Sequence, residues 1–299
     1  MKKVLIAGAT GYLGQFAVRA FKSRGYWVRA LGRSADKLRT IEEFADELFV
    51  GEVTDPESLT GACEGIDIVF SSVGITRQKD GLTYRDVDFQ GNKNLLAQAE
   101  ASGVSKFVYV HVLGAESMQH VSLVQAKQAF VDELEFSKVD HTIVCPTGFF
   151  SDMQEFLEMA RSGRVFLFGD GSNRMNPIHG VDLAEVCVDA AESSEQMIEV
   201  GGPEVFTYRQ IAELAFDVLD RPPKITAVPK TLVRMLAGAM RWLTPVRVYG
   251  PLQFMASVMT MDAVGAPNGD RRLTKHFRAL AYAKDQDTAD EGGHSPSLT

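Results

Sequence analysis

MKKVLIAGATGYLG, Met1 to Gly14, is the stretch that decides the fold. Val4-Leu5-Ile6-Ala7 is an apolar run of strand length, and Gly8, Gly11 and Gly14 follow before a helical pattern of Phe16, Ala17, Ala20 and Phe21 begins. The reading is strand, tight turn and helix N-terminus. Gly8 takes the backbone angles such a turn demands, Gly11 has no Cβ to hold a pyrophosphate away, and Gly14 lets the helix lie close on the strand. The helix start offers N–H groups without intrahelical partners and the positive end of a dipole. A glycine triplet alone is a weak signal. Here it stands between an apolar strand and an amphipathic helix, the context that dinucleotide binding requires. Gly8, Thr10, Gly11, Tyr12, Leu13 and Gly14 are therefore the expected phosphate cradle.

Trp27 to Leu31 is the next apolar strand, followed by Gly32-Arg33-Ser34-Ala35-Asp36-Lys37. An NAD site commonly has Asp or Glu there, accepting from the ribose hydroxyls. A carboxylate would repel a 2′-phosphate, whereas Arg33, with Lys37 one helical turn on, can grip it through a charge-assisted fork. NADP is the expected cofactor, with NAD the less favoured alternative. Glu47 to Val50 is a third strand, and Glu52 and Val53 lie where an adenine ring would rest. Ile66 to Ser71 is a fourth, and Ser72, Val73 and Gly74 are small or slim where backbone must approach a ligand. Asp88 to Ser102 reads as a helix and Lys106 to His111 as a fifth strand. This alternation predicts an α/β protein, a Rossmann-type doubly wound parallel sheet with its ligand at the carboxyl ends of the strands.

At 299 residues the chain suits one such unit carrying a smaller lobe. A net charge of −8 and the lack of any basic block exclude a nucleic acid held through its phosphates. No apolar run reaches transmembrane length, and the chain enters its first strand almost at residue 1, so a cytoplasmic location is expected. Cys63, Cys145 and Cys187 are far apart and the histidines show no ligand spacing, so neither disulfide nor metal is expected.

Several longer stretches carry a family resemblance: the opening GATGYLG, the Gly32-Arg33 pair, VDFQGNKNLLAQAEASGVSKFVYV (Val87 to Val110), AKQAFVDELEFSKVDHTIVCPTGFF (Ala126 to Phe150) and NPIHGVDLAEV (Asn176 to Val186). Together they resemble an atypical short-chain dehydrogenase/reductase of the NmrA-like branch. That branch also holds isoflavone-reductase-like enzymes and a nucleotide-binding accessory subunit of respiratory complex I. A weaker similarity is to the divinyl chlorophyllide 8-vinyl reductases. The resemblance covers about residues 1 to 230 and departs at one telling position. Members that use the usual proton relay carry Tyr-x-x-x-Lys on the helix after the fifth strand, i and i+4 sharing one helix face. Here the matching residues are Leu123-Val124-Gln125-Ala126-Lys127, so the Lys is kept and the Tyr is gone. Lys127 remains available to bind ribose hydroxyls and, where burial lowers its pKa, to donate a proton. Tyr109 and His111 are alternative donors. The resemblance implies that Pro146, Thr147, Gly148 and Phe149 flank the nicotinamide after a strand at Val139 to Cys145. It further implies that Phe149 and Phe150, with Met153 and His179, shape an apolar substrate pocket, although phenylalanines in such a loop serve core packing equally well. Asp182 is treated as a structural anchor.

Val165 to Phe168 reads as a hairpin-like run closed by Gly169-Asp170-Gly171, and Met197 to Val200 as the last strand. Thr207 caps a helix to Leu219, and Lys230 to Leu243 is amphipathic, with Arg234, Arg241 and Trp242 on it. This Met-rich end suits a substrate lid or dimer contact, with peripheral membrane contact as the alternative. Residues 1–150 are expected to bind NAD(P), residues 151–283 to form a substrate lobe interleaved with the end of the sheet, and residues 284–299 to be a disordered tail. The expected activity is an NADP(H)-dependent reductase acting on a small apolar carbonyl or conjugated alkene. The alternative is a non-catalytic NADP(H)-binding redox sensor or assembly protein with a regulatory protein as partner. Either would be a monomer or homodimer.

Overall fold

A computed structural model describes residues 1–75 and 81–292; for residues 234, 236, 237, 241, 242 and 284–292 it describes the backbone alone. The sheet strands are β1 (Lys3–Ala7), β2 (Trp27–Gly32), β3 (Glu47–Val50), β4 (Ile68–Ser71), β5 (Lys106–Val110) and β6 (Asp140–Pro146). Next come β7 (Val165–Phe168), β8 (Arg174–Met175), β9 (Met197–Gly201), β10 (Phe206–Thr207), β11 (Ile225–Val228) and β12 (Ala266–Pro267). The helices are α1 (Tyr12–Ser23), α2 (Ala35–Arg39), α3 (Asn92–Ala101), α4 (Ser122–Phe136), α5 (Phe150–Arg161), α6 (Gly180–Ala190), α7 (Tyr208–Asp217), α8 (Lys230–Leu243), α9 (Val246–Val258) and α10 (Leu273–Gly292). The main sheet has eight parallel strands in the order β12-β9-β6-β5-β4-β1-β2-β3.

Both faces of this sheet are covered. In β1, Val4 and Ile6 join a core with Phe21 of α1 and Leu183 of α6, while Leu5 and Ala7 join a second with Leu95 of α3 and Phe130 of α4. The two-residue period of the strand thus feeds two cores at once, which is why the run is apolar throughout. The chain crosses from one side to the other between β1 and β4, opening the crevice in which doubly wound sheets bind ligands.

A third core gathers Phe150, Met153 and Phe156 of α5, Tyr208 and Ile211 of α7, and Leu273 and Phe277 of α10. It belongs to the lobe, yet α6, β9 and β12 return to the sheet. The hairpin expected at Val165 to Phe168 does not form. After Gly169-Asp170-Gly171 the chain goes on to β8, which pairs antiparallel with β10, and β7 pairs in parallel with the distant β11. Nor is β9 the last strand, since β12 pairs on its outer edge. The helix expected from Asp88 begins earlier, as a π-wound turn over Arg85–Gly91 that runs into α3. Asp182 meets Arg271 through both carboxylate oxygens and so ties the segment before α10 to α6, as a structural anchor would. α10 continues through residue 292 and takes in the start of the stretch expected to be a disordered tail, a run of Ala, Lys, Asp and Gln that favours or tolerates helix; residues 293–299 lie outside those described. The side chains of Arg234, Arg241 and Trp242, on which the membrane alternative rests, also lie outside the description.

Candidate functional site

The turn between β1 and α1 has the shape its glycines suggest. Gly8 has φ +79°, and a Cβ there would press on Ser72 Oγ at 3.1 Å, so the β1 and β4 loops face each other across the crevice. A Cβ on Gly14 would come 2.0 Å from Gly8 O, which makes glycine obligatory there. Gly11 is the N-cap of α1; no side chain caps it and the first turn has no acidic residue, so the positive helix end is left for an anion. Leu13 is buried beneath the turn, and Tyr12 Oη accepts a hydrogen bond of 3.1 Å from Gly180 N at the start of α6. Thr10, half-buried, accepts at its carbonyl from Gln15 Nε2 at 3.2 Å.

At the end of β2, Arg33 is largely exposed, with its guanidinium 3.7 Å from Glu52 Oε2. Asp36 turns outward to Arg39 at 2.8 Å, so it does not occupy the position that would repel a 2′-phosphate. Lys37 lies in α2, whose N-cap Ser34 accepts from its N–H at 3.4 Å. Val53 is buried under Gly91, and its carbonyl accepts from Asn94 Nδ2 at 2.9 Å. Ser72 and Val73 follow β4, the former with its Oγ 3.4 Å from Ala7 O.

A buried ion pair lies beside the loop that follows β4. Lys127 of α4 is buried, donates to Val110 O at 3.2 Å and to Tyr109 Oη at 3.4 Å, and lies 3.4 Å from Asp88 Oδ1. Asp88 is fully buried in the π-wound turn, accepts at Oδ2 from Ile75 N at 3.2 Å, and has no hydrogen bond at Oδ1 among the described residues. Burial pushes its carboxyl up to about 6, against the opposing effects of Lys127 and the Ile75 N–H. Asn92, also buried, fixes this turn by donating to Asp88 O at 2.9 Å and Val73 O at 3.3 Å while accepting from Ser71 Oγ at 2.6 Å. Gly74 borders the pair: a Cβ there would meet Asp88 Oδ1 at 2.6 Å and Lys127 Nζ at 3.0 Å.

The sequence reading passed over Asp88, Asn92 and the π winding; the one available signal was an acidic residue within an otherwise apolar helical face. The alternative donors are differently placed. Tyr109 is fully buried and its hydroxyl is held well above its ordinary pKa by burial. His111 is buried beside it with Nε2 3.2 Å from Gln128 Oε1, and burial, then Lys127, pushes the imidazole down to about 4. Near neutral pH it is uncharged and has no imidazolium proton to give. Leu123, at the position of the missing Tyr, is buried in an apolar cluster with Met118, Val121 and Val124.

After β6, Pro146 is buried, Thr147 Oγ1 donates to Asn176 O at 2.6 Å, and Gly148 leaves room for Met175, whose Cε would be 2.7 Å from a Cβ. Phe149 is half-buried with its ring 5.6 Å from that of Tyr12, which brings the β6 loop to the glycine turn. Phe150 and Met153, by contrast, are 1% and 6% exposed in the lobe core. They are packing residues of α5, not an open pocket wall, because the helix starts at Phe150 and turns both inward. His179 caps α6 by accepting from Val181 N at 3.1 Å and packs edge-to-face against Phe150, which commits its Nδ1 and part of its ring to structure. No cluster of metal-ligating side chains is present among the described residues.

A sequence profile for NAD(P)H-binding proteins matches residues 8–194. Among characterised proteins, the chain is 27% identical to photosystem II assembly factor Ycf39 of Synechocystis, over 80% of this chain and 74% of that one. It is 28% identical to the chloroplastic divinyl chlorophyllide a 8-vinyl-reductase of Arabidopsis thaliana, over 79% of this chain and 62% of that one. Its fold is shared with the NADPH complex of an Escherichia coli quinone oxidoreductase, 17% identical, covering 94% and 100% of the two chains with a TM-score of 0.72. It is shared equally with the NADPH complex of leucoanthocyanidin reductase from Vitis vinifera, 16% identical, covering 94% and 99% with a TM-score of 0.75. The chain belongs to the NAD(P)H-binding family, in the NmrA-like, atypical short-chain dehydrogenase/reductase branch.

Proposed function

We propose that this protein is an NADPH-dependent reductase of a small, largely apolar carbonyl compound or conjugated alkene. The observation that carries the reading is the Lys127–Asp88 pair, buried beside Gly74 where the nicotinamide end of a dinucleotide in this crevice would lie. A fully buried carboxylate without a hydrogen bond at one oxygen costs stability, and sites that keep such a group commonly use it. The residues present fit the cofactor. Gly8, Gly11 and the uncapped start of α1 receive the pyrophosphate, Arg33 and Lys37 the 2′-phosphate, and Lys127 the ribose hydroxyls. NADPH, when bound, supplies the hydride. Lys127 Nζ supplies the proton, to the carbonyl oxygen or to the alkene carbon that does not receive the hydride, and is reprotonated from water. Asp88 holds the ammonium in place, and the uncharged His111 stays out of the transfer. Residues 1–150 serve the cofactor, and residues 151–283 the substrate side.

A second reading, an NADP(H)-occupied assembly or regulatory factor, is favoured by the apolar burial of Leu123 in place of the relay Tyr and by the assembly factor among the relatives. One experiment separates the two. Purified protein is titrated with NADPH and with NADH, and NADPH oxidation is then followed over quinones, enones, aldehydes and vinyl compounds. NADPH-selective binding with turnover is the expected result. Tight binding without oxidation of any compound would replace the reductase by the regulatory reading, and no binding would refute both.

A further inference from the structure

A cavity of about 390 Å³ lies between α8, α9 and the segment before α4, within the size range of small-molecule sites. Its floor is apolar: Met118 and Val233 are nearly fully buried, and Ala256 and Met261 complete it. Most of its polar rim is spent on holding the walls together. Ser257 Oγ donates to Gln253 O at 2.9 Å and lies 3.1 Å from His120 Nε2, Gln253 Nε2 donates to His120 O at 2.9 Å, and Thr260 Oγ1 donates to Ala256 O at 2.8 Å.

Lys230 is different. Its stem lies against Gly169, whose φ is +81° and where a Cβ would come 2.6 Å from Lys230 Cε, so the turn after β7 leaves room for this side chain. Its ammonium makes one hydrogen bond, 3.2 Å to Asn173 Oδ1, and no ion pair among the described residues. Asp170, the nearby acid of that turn, accepts from Ser172 N and Oγ at 3.0 and 2.7 Å, and the Lys230 charge adds a smaller pull on its carboxylate without a direct contact. An ammonium has three donors, so Lys230 keeps donors for a ligand at the mouth of an apolar cavity. The cavity shares a packed wall with the loop at the reaction centre. Met118 and Met261 share an apolar cluster with Ile75, which follows Gly74 and whose N–H binds Asp88.

We infer that this cavity takes an apolar molecule bearing one anionic group, a carboxylate or sulfonate held by Lys230. The test uses the full chain saturated with NADP⁺ and two fluorescent probes, the anion anilinonaphthalene sulfonate and the uncharged phenylnaphthylamine. Lys230→Met, which keeps the stem and removes the charge, is expected to weaken the anion about tenfold or more and to leave the uncharged probe within about twofold. Val233→Trp, which fills the cavity, is expected to remove both. Anion affinity unchanged in Lys230→Met, or either probe unaffected by Val233→Trp in a folded variant, overturns the site.

Discussion

Asp88→Asn is expected to stabilise the protein near neutral pH, although it removes one partner of a buried ion pair. Breaking such a pair ordinarily costs about 3–5 kcal/mol. Among the described residues the carboxylate has the Ile75 N–H and, at 3.4 Å, an ammonium that also serves Tyr109 and Val110, a poor substitute for the water it loses. Its carboxyl is accordingly raised from 3.8 to about 6 even with Lys127 present. Across that window the folded chain holds a proton that the unfolded chain has released, so stability falls as pH rises and the loss is complete above about 6. At about 1.4 kcal/mol per pH unit the loss is about 3 kcal/mol. Asparagine resembles the protonated acid in shape and does not titrate. The two proteins should therefore be similar in stability below the window, and the variant more stable by up to about 3 kcal/mol above it. The assay is urea unfolding of cofactor-free wild type and variant at a series of pH values, taking the difference so that titrations common to both cancel. A difference that does not change with pH, or that moves against the variant as pH rises, would refute the argument. The same variant should lose turnover, since the ammonium is no longer held beside Gly74, which is the stability–activity trade expected of a functional carboxylate.

Arg33→Ala should weaken NADPH about tenfold by titration and leave NADH nearly unchanged, while Glu52→Gln, which removes the carboxylate 3.7 Å from Arg33, should shift selectivity further towards NADPH; equal losses for the two cofactors would refute the 2′-phosphate assignment. Lys127→Ala should cut turnover about a hundredfold or more, beyond any loss of cofactor affinity, and intact turnover of an identified substrate would reduce Lys127 to a ribose or packing residue. Gly74→Ala places a Cβ 2.6 Å from Asp88 Oδ1 and should lower kcat by about a hundredfold with a smaller change in NADPH affinity; single-turnover kinetics with bound cofactor check it.

The parts of this molecule that were legible in its sequence are those specified locally. The glycine turn declares itself because Gly8, Gly11 and Gly14 answer constraints set by neighbours a few residues away, a positive φ and a carbonyl 2.0 Å from a would-be Cβ. Strands β1, β4 and β5 are short, mainly apolar runs bounded by turns, as a sheet buried on both faces requires. The pairing of β7 with β11 could not be read, since nothing in Val165 to Phe168 says which distant strand it will meet. Asp88 was illegible for a related reason. Its meaning depends on three separate segments meeting, the π-wound turn, the loop at Gly74 and the middle of α4, and its own neighbours, Val87 and Phe89, describe an ordinary helix. Phe150 and Met153 misled in the opposite sense, as aromatic and sulfur side chains in a loop-like context that the start of α5 turns into core.

The departure at Leu123 acquires its meaning only in this setting. On the helix it stands one turn before Lys127, where a hydroxyl would have to be hydrogen-bonded or left wet. The fold instead closes that position with Met118, Val121 and Val124, and with Phe254 and Val258 of α9 packed against the cluster. On the other side Lys127 Nζ lies 3.4 Å from Asp88 Oδ1, next to the loop at Gly74. Leu123 and Lys127 thus divide α4 between them: the α9 side serves packing and the Asp88 side keeps the charge.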